Sequence, residues 1–212
     1  DDWENEYLRK NPHVKKYNDP SQLARSGVIF VNGHNSLKDC IRTLTLKRDG
    51  SYILISRDRD FSIHQDISSI FPSSLKRLYA INCSFKSDIV VPIPVGTATR
   101  NGYNGLLPII LNRNIEKLTD KLIYCRLTIT HTEEGRERRE LIEANKDNPI
   151  FTMPMNTVSA EEAFTGMRSH VFTACPAGQG KDCIRTYEAI ILNSIPIWSD
   201  CPELRHFEDL PV

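Results

Sequence analysis

Short apolar runs that open into polar or glycine-bearing loops recur along the first half of the chain. In "GVIFVNGHNS" four apolar residues end at Asn32-Gly33, the signature of a buried strand running into a loop. "SYILISRDRD" repeats the form, with a strand over Tyr52–Ile55 opening into a charged loop. The spacing in "SSLKRLYAIN" predicts a helix with Leu75, Leu78 and Tyr79 on one face. "DIVVPIPVG" is a short extended run whose two prolines favour a sheet edge or a crossover. Residues 1–25 are polar and irregular, with one short helix expected around Trp3–Leu8.

"GTATRNGYNGLLP" is the stretch richest in turn residues, and it divides the expected domains, 1–100 and 101–212. A helix near Asn114–Thr119 is expected next, then a strand in "KLIYCRLTI". "THTEEGRERRELIEAN" carries charges at helical spacing, with Leu141 and Ile142 as its buried contacts. "PIFTMPM" is a strand, and "SAEEAFTGMRSH" a helix with Ser159 as N-cap and Glu162 three residues on. "VFTAC", "KDCIRTYEAIILN" and "IPIWS" complete a strand–helix–strand series. From Lys121 onward strands and helices alternate, which predicts an α/β fold with a parallel sheet and right-handed crossovers.

Composition narrows the function classes. The 212 residues carry 27 basic and 27 acidic side chains, so no global field draws the chain to nucleic acid or an anionic membrane. Any anion it binds needs a local site. No apolar run is long enough to span a membrane, and no signal-peptide pattern is seen. Six cysteines are scattered without a C-x-x-C pair, which favours free thiols and a cytoplasmic setting; the sequon Asn82-Cys83-Ser84 does not overturn that. Asp1 stands where a Met would start a chain, so fusion to further domains in a longer polypeptide is an expectation.

The stretch "CPAGQGKDCIRTYEAIILNSIPIW", Cys175 to Trp198, carries the chemistry. It leaves a strand at the carboxyl edge of a parallel sheet, where ligands of such sheets bind. Gly178, Gln179, Gly180, Lys181 and Asp182 form a loop whose glycines permit a tight turn with exposed amides. A helix beginning near Asp182 then aims free N–H groups and its positive dipole end at the crevice, a site suited to phosphate. Arg185 would grip a diphosphate, and Glu188, three residues on, would accept hydrogen bonds from ribose hydroxyls. An equally simple reading is a capped surface helix with an i, i+3 ion pair. The loop is neither a Walker phosphate loop nor a G-x-G-x-x-G fingerprint.

This stretch resembles the donor-binding segment of the exostosin-like glycosyltransferases, in which a Pro-Arg-Gly loop precedes an Arg-x-x-Glu-Ala helix and an Ile-Pro-(Ile/Val) strand. "KLIYCRLTITHTEEGRERRELIE" and "EEAFTGMRSHVFTACPAG" are similar to the approach to that loop. "YILISRDRD", "LYAINC" and "IVVPIPVG" resemble segments of compact bacterial and viral relatives, so the likeness covers roughly Tyr52 to Trp198. Ala177 stands where the family carries arginine, so Arg185 must carry more of the charge, or Arg136, Arg138 or Lys181 must help.

The resemblance implies two Rossmann-like domains (GT-B-like), with a reduced acceptor-side domain and a donor domain whose last stretch returns toward the first. It implies an inverting, metal-independent transfer from a nucleotide-diphosphate sugar, a uridine diphosphate (UDP) sugar first, to a glycan acceptor. No cofactor is required on this reading. His131 and Thr132, where the first donor-domain strand ends, fall near the diphosphate, and Arg136 is the cation of "EEGRERRE" best placed to reach it.

Inverting transfer needs one carboxylate or imidazole to take the acceptor proton. Asp60, Asp58 and His34, each in a loop after a first-domain strand, are the candidates, with Asp60 preferred. Each is also readable as a turn residue. Two alternatives stay open: an Asp58-x-Asp60 pair holding a divalent metal, and a non-catalytic carbohydrate- or nucleotide-binding module. His64, His170 and His206 are expected to be structural, and Trp198 to pack.

Overall fold

A computed structural model describes residues 9–10, 14–16, 26–32, 34–47, 50–57, 62–97, 109, 116–118, 120–129, 135–154 and 158–209. The chain is α/β and divides into two compact units, residues 1–94 and 95–212. The expected boundary lay a few residues later, in the glycine-rich stretch.

The first unit is a parallel sheet of β1 (Val14–Lys16), β2 (Ser26–Val31), β3 (Ser51–Ser56), β4 (Leu75–Ala80) and β5 (Val90–Pro92), ordered as in the sequence. β5, which ends in Pro92, is an edge strand, one of the two placements its prolines favour. Between β2 and β3 runs helix α1 (His34–Thr45). Leu37, Cys40, Ile41 and Leu44 are fully buried, an i, i+3, i+4, i+7 stripe that seals one face of the sheet. That periodicity is plain in the sequence, although no helix was expected between the two strands.

β4 overturns the helix expected over 73–82. Tyr52 pairs with Leu75 but Ile53 pairs with Arg77, so one extra residue sits in β4 as a bulge. The bulge breaks the strand's period of two and turns both Leu75 and Leu78 into the core, at 2% and 0% exposure. Buried residues three apart then imitate a helix face. Asn82 follows with φ +52° and is buried, so the Asn82-Cys83-Ser84 sequon is not presented to solvent.

The second unit alternates as expected: β6 (Ile123–Tyr124), α2 (Arg136–Asn145), β7 (Phe151–Thr152), α3 (Ala160–Ser169), β8 (Phe172–Ala174), α4 (Ile184–Ile191) and β9 (Ile195–Ile197). All pairings are parallel, in the order β7-β6-β8-β9. The helix expected near 114–119 is absent from the described residues 116–118. Lys117 instead reaches out and donates from Nζ to the carbonyls of His170 and Asn193, 2.6 Å each, capping the ends of α3 and α4.

α3 starts with the expected capping box. Ser159 Oγ accepts from the Glu162 N–H, and the Glu162 carboxylate accepts from the Ser159 N–H. Ala163, Phe164 and Met167 are its buried face. α2 buries no residue completely: Leu141 and Ile142, expected inside, are half-buried. Its polar composition leaves too narrow a stripe to seal against the sheet. A cavity of about 310 Å³ remains between Leu141 and Ile123, Phe151, Ala174 and Ile197, with Trp198 at its wall. His170 is buried and structural, one ring nitrogen 2.6 Å from the Gly166 carbonyl and the other 2.6 Å from Thr152 Oγ1.

Among the described residues, no helix is long and apolar enough to cross a membrane.

Candidate functional site

The strand order decides where a ligand belongs. From β6 the chain moves outward to β7, then crosses back to β8 and on to β9. The direction reverses between β6 and β8, and open parallel sheets bind ligands at the carboxyl ends of the strands on either side of such a reversal. Right-handed crossovers place α2 on one face and α3 and α4 on the other, so loops part at that point. The segments leaving β6 and β8 are Cys125–Ile129 and Cys175–Cys183. Three arginines gather there.

Arg138, from the first turn of α2, ties these two segments together. Its Nε donates to the Ala177 carbonyl at 3.0 Å and its Nη1 to the Thr128 carbonyl at 3.2 Å. Burial, and then the neighbouring Arg185, depress its pKa. Arg185 is half-buried, and its buried Nε has no hydrogen-bond partner among the described residues. Arg126, just past β6, and Arg185 both act on Glu188. Burial raises the Glu188 pKa and the two arginines oppose it, so Arg185 and Glu188 share one face of α4 as their spacing predicts.

The local build of the loop refines the expected geometry. α4 begins at Ile184 with Cys183 as its N-cap, not near Asp182. Arg185 therefore sits within the first turn, beside the positive end of the helix dipole, and that turn contains no acidic residue. A cation there is disfavoured by about 0.3–1 kcal/mol. The loop turns without a left-handed glycine, the positive-φ glycines among the described residues being Gly27 and Gly96. Gly178 is needed for space: a Cβ there would run into the Arg138 guanidinium. The loop closes on itself through Gly178 N–H to the Gly180 carbonyl, 3.0 Å.

Asp182 does not face solvent. Its carboxylate is buried, accepts from the Val95 N–H at 2.7 Å and from the Tyr187 hydroxyl at 3.0 Å, and burial pushes its pKa up to about 6. It anchors the start of the second unit to α4. Gln179 and Lys181 are exposed; Lys181 lines a second cavity, of about 280 Å³, with Glu137, Trp198 and Asp200. Arg136 is exposed and lies 3.9 Å from Glu140. The cation of "EEGRERRE" that the fold brings to the loop is Arg138.

His131, Thr132, Asp58 and Asp60 lie outside the described residues. His34 is the first residue of α1. Among the described residues, no group of three or more His, Cys, Asp or Glu side chains is arranged to hold a metal ion.

Sequence reading missed Arg126 and the thiols of Cys175 and Cys183. A basic residue directly after a strand that precedes a crossover was the available signal for Arg126. The six cysteines are free among the described residues. The Cys183 thiol donates to the Cys175 carbonyl at 3.9 Å and lies 3.4 Å from Thr186 Oγ1. Burial holds the Cys175 thiol above the ordinary range.

No model of a known protein family matches the chain, and no curated protein sequence matches it.

Proposed function

We propose that the second unit binds a nucleotide-diphosphate sugar and that the protein is a glycosyltransferase of the exostosin-like type. The carrying observation is Arg185, a guanidinium in the first turn of a helix, close enough to Arg138 to lower its pKa, with its buried Nε unmatched among the described residues. Two like charges and a helix dipole all disfavour one another, and one anion relieves all three. A diphosphate offers oxygens that can accept from two guanidinium groups at once. Glu188, whose pKa burial raises against the pull of Arg185 and Arg126, offers carboxyl oxygens to the hydroxyls of the adjoining ribose.

On this reading the acceptor hydroxyl oxygen attacks the anomeric carbon as the bond to the diphosphate oxygen breaks, and its proton passes to a carboxylate or imidazole. Arg138 and Arg185 take up the charge that grows on the leaving diphosphate, the role a divalent ion fills elsewhere. Asp60, Asp58 and His34 are the proposed bases. A two-domain GT-B-like architecture, inversion, a UDP-linked donor and a glycan acceptor belong to the same proposal, and rest on the sequence resemblance.

The test is nucleotide-dependent stabilisation. A ligand at a hundred times its dissociation constant stabilises by about 2.7 kcal/mol. The expected result is a thermal shift with a nucleoside diphosphate in the presence of chelator, lost in Arg185→Ala, and slow hydrolysis of the corresponding nucleotide sugar without acceptor. Binding that requires manganese and ignores Arg185 would favour the Asp58-x-Asp60 alternative. Binding without any hydrolysis or transfer would favour a non-catalytic module.

A further inference from the structure

The first unit contains a buried hydroxyl with nothing to bond. Ser56, the last residue of β3, is fully buried, and its Oγ has no hydrogen-bond partner among the described residues. Buried polar groups are matched in the great majority of cases, so an exception needs a cause. Tyr52, Leu54 and Ser56 are buried and alternate with the half-buried Ile53 and Ile55, which puts the hydroxyl on the same face of the sheet as Tyr52 and Leu54. That is the face α1 covers with Leu37, Cys40, Ile41 and Leu44. The fully buried Val31 and Ala80 flank Ser56 on β2 and β4.

The direction of α1 brings its first turn to the same edge. At the far end of the helix the Leu44 carbonyl accepts from Ser74 Oγ at 3.1 Å, and the Ser74 carbonyl accepts from the Tyr52 N–H at 2.8 Å, so α1 finishes beside the start of β3. It begins at His34, just past Val31, the register partner of Ser56, and the chain between Val31 and His34 reaches at most about 11 Å. The first N–H groups of a helix have no partner within it and carry the positive end of its dipole. The first turn of α1 holds no acidic residue to meet them. Free N–H groups, a helix dipole and an unmatched hydroxyl thus share the carboxyl edge of β2 and β3.

We propose that the first unit binds a phosphoryl group at the N-terminus of α1, held by the backbone N–H groups of the first turn and by the Ser56 hydroxyl. The dipole repels a cation and attracts an anion. A hydroxyl donates one hydrogen bond, and the helix N–H groups donate more from a different side. The tetrahedral oxygens of a phosphoryl group meet both sets together, whereas a carboxylate has only two oxygens in one plane. Arg138 and Arg185 take no part in this site.

The experiment is a titration of the isotope-labelled full chain with inorganic phosphate at constant ionic strength, followed by amide NMR. The expected result is saturable shifts at the amides of Asn35, Ser36, Leu37 and Ser56, with none from chloride or acetate. Ser56→Ala should weaken that binding about tenfold or more. It should leave the thermal midpoint of the free protein unchanged or higher, since the hydroxyl has no partner to lose. Ser36→Asp, which sets a carboxylate beside the same N–H groups, should raise that midpoint and abolish the phosphate shifts. Glycerol phosphate binding more tightly than inorganic phosphate would assign the phosphoryl group to a larger ligand, and the reverse order to the free ion. Shifts that never saturate, that fall on residues 184–188 instead, or that survive Ser56→Ala unchanged would overturn the site, as would acetate binding as tightly as phosphate or a lower midpoint in Ser56→Ala. Arg185→Ala should leave the expected shifts as they are, so this site and the nucleotide-sugar site fail separately.

Discussion

The guanidinium of Arg138 occupies the space that a side chain at position 178 would need. Position 178 is therefore glycine for reasons of volume, not of backbone angle. Ala177 follows the loop's proline, and an arginine from α2 lies over the same peptides, donating to the Ala177 carbonyl.

This relationship predicts the behaviour of Gly178→Ala. The colliding atoms are the far end of a flexible side chain, so Arg138 can swing away. Stability should change by less than about 1 kcal/mol in denaturant unfolding. Affinity for a nucleoside diphosphate, read by calorimetry, should fall about tenfold or more with the loss of a charge-assisted contact. Unchanged affinity would remove Arg138 from the site.

Arg185→Ala should show the complementary pattern. Removing a cation from the positive end of α4 should leave stability unchanged or raise it by about 0.3–1 kcal/mol. The nucleotide-induced thermal shift should vanish. Arg185→Lys keeps the charge but not the two-pronged geometry, and should recover only part of the shift.

Asp182 sets a pH dependence. Burial raises its pKa to about 6, above the value of about 4 that it has in an unfolded chain. The folded state thus binds the proton more tightly, and the stability this contributes is full below about pH 4 and lost as pH rises through about 6. Asp182→Asn retains an oxygen to accept from Val95 N–H and Tyr187 Oη–H without the charge. It should be more stable than the parent by about 1–3 kcal/mol at pH 8 and not at pH 4, in urea unfolding at the two pH values.

Two local caps give stability predictions free of any ligand. Ser159→Ala should cost about 1 kcal/mol and Ser159→Gly only a few tenths, by loss of the capping box. Lys117→Met removes two hydrogen bonds to helix-end carbonyls from a partly buried ammonium and should cost about 1–2 kcal/mol. Equal effects of the Ala and Gly changes at Ser159 would argue against the cap.

Where the sequence pattern is local, it suffices. The alternation of strands and helices from Lys121, the Ser159–Glu162 cap, the edge placement of β5 and the shared face of Arg185 and Glu188 all follow from spacing over a few residues, because hydrogen-bond geometry along one chain imposes the period. The stripe of α1 was equally legible. Pairing between distant segments decided the rest. Only the register of β4 against β3 reveals that Leu75 and Leu78 share a face through a bulge. Only the order β7-β6-β8-β9 puts the reversal between the two strands whose following segments carry Arg126 and the 175–183 loop. Likewise Arg138 rather than Arg136 meets Gly178, since the direction in which α2 lies across the sheet selects which of five neighbouring charges turns inward. Composition makes those charges available, and long-range packing, in which every contact depends on others far away in the chain, assigns each its partner.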